Sequence, residues 1–549
     1  MSLFGKRLLA LYLSFSLSSL SFAQGSGVSV QQDNAARENL GRVIQSPEAR
    51  SANLPSRNTL QSQPTLVLPD MGDPGGEALS PLDERKIGEQ IMREIRRDRD
   101  YSNDWPIYDY LNQMERRLMQ AAKRLQLGGA NAQGSAAYDY EVFAVKDPSI
   151  NAFALPGGFI GFHTGLLIAA ETDSEVASVM GHEIGHVLQR HLARSLERQG
   201  TNSIIALAGI VLGALAAASN PGAAAGLITG GQALAIQNQL SYSRDAEREA
   251  DRIGFQILQA SGYDVNGAPA FFQRLQKAYG IMDSGVPAYL RTHPLTTDRI
   301  ADMQDRARTV QQNRVPSSLE FFLVKARARV EQSGSSSGLF DLRNAFDSMS
   351  KQAAPEKQME GFYGLALVAQ RQGRFDQAEG FLQRARGIAQ TILAPGSPIQ
   401  RQSLSFDYTA SELALARGKP EEALQFAQNA AKAFPLSFSG TVATVNAELR
   451  LGRTNEAISL LRAKTKSQPN ETIWWELLAR AYDQDKKIGL RHYALAEKFA
   501  TEGAWPSAIE QLKIARSEAG NDFYLGSVID ARLRVFQNQY REEQKEQKK

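Results

Sequence analysis

Residues 182 to 186 read His-Glu-Ile-Gly-His, a spacing that stacks two imidazoles on one face of a helix. His182 and His186 can then reach a single ion at about 2.0 to 2.1 Å. Glu183 stands beside them, in position to take a proton from water that the ion activates and to pass it to a leaving amine. Chance is a weak rival, since a random match would turn up in roughly a few of every thousand chains this poor in His. The chain has no Cys, so thiolate ligands, disulfides and cysteine nucleophiles are excluded. Any metal site must be built from His and carboxylates.

A hydrolytic metal needs a third protein ligand and an open fourth position. The best donor lies between Ser241 and Asp251, where Ala246, Ala250, Ile253 and Ile257 form the packed stripe of a helix. Glu247 and Asp251 share a face one turn apart toward the core, while Asp245 and Glu249 turn away. Glu247 is therefore the candidate ligand, and Asp251 is placed to hold a ligating His by its other ring nitrogen. The alternative is a solvated acidic face with Arg248 and Arg252. His191, on the same helix five residues past His186, is rotated off the ligand face. His163 and His492 have no comparable setting. Pro294 prevents helix after Thr292-His293, leaving His293 on a loop before the next helix. That suits a group aimed at a site, with an ordinary loop histidine as the other reading. Arg299 is a candidate partner for substrate or an oxyanion.

These residues need a scaffold. Ser80-Pro81-Leu82-Asp83 marks a helix start, with Ile87, Ile91 and Ile95 as its apolar stripe. A second helix follows Trp105-Pro106 and carries Leu111, Met114 and Leu118 on one face. Tyr140 to Val145 reads as a strand, and Ala152–Leu155 and Phe159–His163 flank a Pro156-Gly157-Gly158 turn, so a small antiparallel sheet is expected. Thr172-Asp173-Ser174-Glu175 is a capping box opening the helix of the His-Glu pentad, whose apolar face runs through Val176, Val179, Met180, Val187 and Leu188 to about Glu197. Residues 204–236 are mostly Ala, Gly, Leu and Ile, and read as a buried helical hairpin, with a cover over the cleft or an apolar partner surface as alternatives.

From about residue 315 the pattern is helical and repetitive. Four times a Gly is followed five residues later by an Ala opening an apolar helix: Gly373 and Ala378, Gly418 and Ala423, Gly452 and Ala457, Gly503 and Ala508. The glycines are 45, 34 and 51 residues apart, and about 34 is the tetratricopeptide period. The Gly serves the inter-helix turn and the Ala a close helix approach, so a degenerate tetratricopeptide solenoid is expected, with a plain helical bundle as the alternative.

Length allows for this plan. At roughly 100 to 200 residues per domain the 549 residues suggest two to four domains. With 62 basic and 59 acidic residues, no global field would draw the chain to nucleic acid or an anionic membrane, so no nucleic-acid role is expected. Lys6 and Arg7, the apolar run Leu8 to Leu20 and Ser21-Phe22-Ala23 read as an export signal cleaved near Ala23, with a short membrane anchor as the alternative. The expected organisation is a signal peptide over 1–23, a mobile leader over 24–79, a peptidase domain over 80–312, a repeat domain over 315–540 and a charged tail over 541–549. The expected fold is mainly α, a domain that resembles the zincin-type metalloproteases and holds a small antiparallel sheet, followed by an all-α repeat solenoid.

The pentad and Glu247 in its Glu-x-x-Ala-Asp context resemble the zinc peptidases that include the HtpX, mitochondrial Oma-type and prenyl-protein proteases. The resemblance covers about residues 80 to 310. It implies one Zn2+ per chain held by His182, His186 and Glu247, with Glu183 as general base and Asp251 as an assisting acid. It also implies that Asn151, Phe153 and Ala154 belong to a strand along the cleft, to which an extended substrate adds through main-chain hydrogen bonds. A His at the place of His293 can fill the open metal position and hold such an enzyme latent. With an export signal and repeats, the whole chain is similar to the periplasmic branch of this family in Gram-negative bacteria. That resemblance implies quality control of unfolded or misassembled outer-membrane barrels, and contact with the barrel assembly machinery and the lipopolysaccharide transport barrel. It leaves room for peripheral membrane contact, and for a chaperone or adaptor acting through the repeats with a latent peptidase.

Overall fold

The computed structural model describes residues 80–127, 140–199, 243–281, 288–310, 315–392 and 403–546. The expected signal peptide, leader and apolar segment 204–236 lie outside the described residues. Helices dominate. Helix α1 (Pro81–Arg97) begins as its sequence predicts, with the Ser80 hydroxyl accepting from the Asp83 amide and Pro81 at its first position. Helix α2 (Trp105–Arg124) is capped by Asp104 and buries Ile107, Leu111, Met114 and Leu118.

Strands β1 (Glu141–Val145), β2 (Ala152–Leu155) and β3 (Phe159–His163) form one sheet in the order β1-β3-β2. The β2–β3 hairpin turns at Gly157 and Gly158, both at positive φ, as the Pro-Gly-Gly signal predicts. The sheet is mixed, not antiparallel throughout: β1 runs parallel to β3. The Lys146–Asn151 connection is too long for a tight hairpin and is tied down where the Gly165 amide donates to the Asp147 carbonyl. It therefore reverses the chain but skips one position, which β3 fills, leaving β2 at an edge.

Helix α3 (Thr164–Ala169) leads to α4 (Asp173–Leu188), whose Thr172 hydroxyl accepts from the Glu175 amide as the capping box predicts. The expected single helix to Glu197 is broken. Gln189 ends α4, Arg190 takes a left-handed conformation at φ 49°, and α5 (His191–Gln199) sets off anew. Helix α6 (Arg244–Ala260) packs along α4, followed by α7 (Gly267–Ile281), α8 (Ala288–Thr292) and α9 (Thr297–Thr309).

The rest is helical hairpins: α10 (Leu319–Gln332), α11 (Ser336–Met349), α12 (Pro355–Arg371), α13 (Phe375–Ile392), α14 (Leu404–Ala416), α15 (Pro420–Ala433), α16 (Phe438–Arg450), α17 (Thr454–Ser467), α18 (Thr472–Gln484), α19 (Ile488–Thr501), α20 (Trp505–Glu518) and α21 (Phe523–Glu546). The four expected glycines all sit at positive φ, from 69° to 74°, and the four alanines are fully buried. The repeat frame nevertheless differs from the expected one. Left-handed residues at Gly418, Gly452, Lys486 and Gly520 are each 34 apart (452 − 418, 486 − 452, 520 − 486), and each links the two helices of a pair. Gly503 instead joins one pair to the next. A lysine holds the turn position where the other pairs have glycine, which hides the regular period from a search for Gly. The charged tail does not depart from the fold at once either, since α21 continues to Glu546.

The elements that carry the His-Glu pentad and the repeats share a core. One apolar cluster runs from Ile107 on α2 through α4, α6 and α10 to Leu413 on α14. The Asp109 carboxylate on α2 accepts from the Phe438 and Ser439 amides at the start of α16, at 2.8 Å each. Arg327 on α10 is buried against Asp104, Tyr363 and Thr409. No described helix is long and apolar enough to cross a membrane.

Candidate metal centre

Helices α4 and α6 meet almost backbone to backbone. A Cβ built on Gly181 would lie 3.1 Å from the Gly254 carbonyl oxygen, one on Gly185 3.0 Å from that of Ala250, and one on Gly254 2.9 Å from three backbone atoms of Gly181 and His182. Only at that separation does the Glu247 side chain reach the ring nitrogens of α4.

His182, His186, Glu247 and His293 are all buried, each offering a ligand atom within 4.8 Å of the others. The His182 and His186 Nε2 atoms are 3.0 Å apart. Glu247 Oε2 lies 3.5 Å from His182 Nε2, and Oε1 3.4 Å from His186 Nε2. His293 Nδ1 lies 3.3 Å from His182 Nε2 and 3.0 Å from Glu247 Oε1. Ligands about 2.0 to 2.1 Å from a tetrahedral ion stand about 3.3 to 3.4 Å apart, so these spacings are near the edges of such a tetrahedron, with Glu247 facing His182 through one oxygen and His186 and His293 through the other. The donor set of three imidazole nitrogens and a carboxylate suits a borderline divalent cation. The residues present fit a metal.

Around this cluster the expected residues come together. The Asp251 Oδ1 atom lies 2.9 Å from His182 Nδ1. Arg299 donates to both Asp251 oxygens at 2.6 and 2.8 Å, its Nη1 donates to the Pro294 carbonyl, and the same nitrogen is 2.7 Å from Glu247 Oε2. Its guanidinium, expected to meet substrate or an oxyanion, is thus turned inward onto the two acids. Glu183 is fully buried, with Oε1 3.5 Å from His293 Nε2. Tyr289 stacks on His293 with ring centroids 4.6 Å apart. Phe153 and Ala154 lie on the edge strand β2, and Asn151 just before it.

The charges follow from these neighbours. Burial opposes the Glu247 charge, but the imidazoles of His293, His182 and His186 outweigh it and hold the carboxyl well below the usual carboxylate range. Burial also opposes a charge on His182, yet hydrogen bonds to Asp251 and Glu247 raise its basicity. His186 is pushed well down by burial despite Glu247, with His182 adding to the fall. Burial raises the Glu183 carboxyl, against the pull of His293 and His182 and of the Ala154 amide.

One arrangement departs from the sequence expectation. His191, 4% exposed, is not turned away: its Nδ1 lies 2.9 Å from His186 Nδ1, and its Nε2 3.1 Å from Glu249 Oε2. A continuous helix at about 100° per residue would rotate His191 off that face. The left-handed Arg190 restarts the helix and brings the ring back. Glu249, expected to turn away, meets His191 through the same geometry. Nothing in the residue type of Arg190 marks that break.

The model of peptidase family M48 matches residues 112–307. The beta-barrel assembly-enhancing protease of Escherichia coli K12 is 32% identical over 475 residues, which covers 85% of this chain and 89% of that protein. A putative beta-barrel assembly-enhancing protease of Vibrio cholerae is 32% identical over 476 residues, 85% of this chain and 90% of its own length. The mitochondrial metalloendopeptidase OMA1 of Arabidopsis thaliana is 37% identical over 155 residues, 28% of this chain and 29% of its own. With the buried His and Glu cluster at its centre, the chain belongs to the beta-barrel assembly-enhancing protease family and is a metalloendopeptidase with an M48 peptidase domain.

Proposed function

We propose that the chain is a zinc-dependent endopeptidase of the periplasm, acting in the quality control and assembly of outer-membrane β-barrel proteins. In this reading residues 80–312 are the peptidase domain and 315–540 the repeat domain that selects substrates. The observation that carries the metal reading is the set of ligand-atom separations between 3.0 and 3.5 Å among His182, His186, Glu247 and His293. The substrate class rests on the names of the relatives that match most of the chain.

His182, His186 and Glu247 would hold the zinc ion. A bound ion supplies Lewis acidity that activates water and polarises the scissile carbonyl. Glu183 takes a proton from that water and returns it to the leaving amine; the buried carboxyl has a raised proton affinity suited to both transfers. Asp251 fixes the His182 ring through Nδ1, and Arg299 holds Asp251 and Glu247 in place. An extended substrate adds to the edge of β2 at Asn151, Phe153 and Ala154, past the Glu183 carboxyl.

A second reading has its own observation. His293 Nδ1 lies 3.3 Å from His182 Nε2 and 3.0 Å from Glu247 Oε1, and its Nε2 faces Glu183, which supports a reading in which His293 takes the open position. The protein would then be held latent and act mainly as a chaperone or adaptor through its repeats, in contact with the barrel assembly machinery and the lipopolysaccharide transport barrel. Casein digestion by the full chain separates the two. We expect weak cleavage by wild type, stronger cleavage by His293→Ala, none by Glu183→Gln and none with chelator. Cleavage surviving in Glu183→Gln removes the base from its role. Inactivity of every form, with zinc bound, favours the adaptor.

A further inference from the structure

The outer nitrogens of the two α4 imidazoles meet different partners. The His182 Nδ1 meets Asp251 at 2.9 Å. The His186 Nδ1 meets instead the Nδ1 of His191 at 2.9 Å, and the far nitrogen of His191 lies 3.1 Å from Glu249 Oε2. The His191 side chain is buried, whereas the Glu249 side chain is one-third exposed. Arg194 lies 3.5 Å from the same Glu249 oxygen.

The protons on this chain can be placed. For His186 to offer a lone pair from Nε2 into the cluster, its single proton must sit on Nδ1. That N–H can donate to His191 only if the His191 Nδ1 is bare. A neutral His191 with a bare Nδ1 carries its own proton on Nε2, where the Glu249 carboxylate accepts it. Both contacts then have one donor and one acceptor, in a single direction from His186 outward to Glu249. Any other neutral arrangement sets two N–H groups or two lone pairs against each other at 2.9 Å, or turns the His186 proton toward the ligand cluster.

We infer that His191 and Glu249 are positioning residues that fix the tautomer and ring orientation of His186, doing through an imidazole relay what Asp251 does directly for His182. Ligating imidazoles depend on such outer partners, whose loss costs roughly 10- to 100-fold in metal affinity. The break at Arg190 acquires a purpose in this scheme. It turns the start of α5 so that a residue five positions on faces back to the ligand.

The inference rests on the metal reading above, and its test keeps the two apart. Zinc affinity of the full-length chain is measured by competition with a chromogenic chelator, and the ligand field by the absorption of the cobalt-loaded form. We expect His191→Phe to weaken zinc binding roughly 10- to 100-fold and to alter the cobalt spectrum. His191→Gln, whose amide can accept from His186 and donate to Glu249, should recover most of that loss. Glu249→Ala should weaken binding by a smaller factor. A merely structural role for His191 predicts no difference between the Gln and Phe variants in metal affinity at equal apo-protein melting temperature, and that result overturns the inference. Wild-type affinity in His191→Phe, with affinity lost in His186→Ala, overturns it too. Should His191→Phe fail to fold, Glu249→Ala decides, and unchanged affinity there overturns the relay. Full zinc affinity in His186→Ala would instead bring down the metal reading itself.

Discussion

Replacing Gly254 by Ala should loosen the metal centre without touching a ligand. On propensity alone an interior Gly to Ala change in a helix stabilises by about 0.5–1 kcal/mol. Here the new Cβ would stand 2.9 Å from the Gly181 carbonyl carbon and oxygen and from the His182 amide nitrogen. These are backbone atoms of a packed helix and cannot swing aside. Ordinary contact begins near 3.4 Å, so α4 and α6 must part by roughly half an ångström, and overpacking of this kind costs about 1–3 kcal/mol. The separations of Glu247 from the two α4 imidazoles, 3.5 and 3.4 Å, span the same two helices. A shift of that size pulls Glu247 off the tetrahedral spacing, and we expect roughly tenfold weaker zinc binding or more, in line with other losses of ligand positioning. The control is Gly380→Ala on α13, where a Cβ meets nothing within 4 Å, and which should gain the propensity term. Chelator competition and urea unfolding of both variants decide it. If Gly254→Ala is as stabilised as Gly380→Ala and binds zinc like wild type, the close approach of α4 and α6 does not set the site.

Other consequences can be checked in the same way. Arg327→Met should cost about 3–5 kcal/mol in chemical denaturation, because it strands the Asp104 carboxylate that Arg327 holds at 2.7 Å; a loss below about 1 kcal/mol would show the pair to be dispensable. Burial pushes the Asp109 carboxyl up to about 6, despite the Ser439 and Phe438 amides that favour its charge. The folded state therefore holds a proton that the unfolded chain has lost between about pH 4 and 6, so stability falls as pH rises through that window and levels off above it, by roughly 3 kcal/mol in all. The stability difference between wild type and Asp109→Asn should follow that curve, and a difference independent of pH refutes it. Lys486→Gly should stabilise by roughly 0.5–1 kcal/mol, because Lys486 adopts φ 57° where the other repeat turns have glycine; a lower melting temperature would argue against strain at that turn.

What the sequence made legible divides along the reach of its signals. Local rules located helix starts at Ser80 and Thr172 and the glycine turn at 157 and 158, because capping and turn chemistry act within a few residues. The pairing of Glu247 with the His pentad was legible for a different reason: a helical stripe of Ala246, Ala250, Ile253 and Ile257 determines which acids face inward. Features decided by the backbone of unremarkable residues were not legible. Arg190 and Lys486 both take left-handed conformations that their residue types disfavour, each just past the end of a helix where the chain turns into the next one. The first hid the contact of His191 with His186, and the second hid the even spacing of the repeats. The parallel β1–β3 pairing was likewise invisible, since strand order depends on how far the Lys146–Asn151 loop carries the chain.

Helix α10 has consequences for how such a protein can be taken apart. Leu319, Phe321, Phe322, Leu323, Val324, Ala326, Ala328 and Val330 are all buried, and so are Lys325 and Arg327 on the same helix. It has little solvent side: α2, α3, α12 and α14 all pack against it. A nick in the chain just before it would leave one particle, not two. A recombinant array beginning there would expose an oily rod and lose the Asp109 carboxylate that caps the start of α16. Grafting the repeats of one relative onto the peptidase of another should therefore succeed only when the matching faces of α2, α3 and α10 travel together.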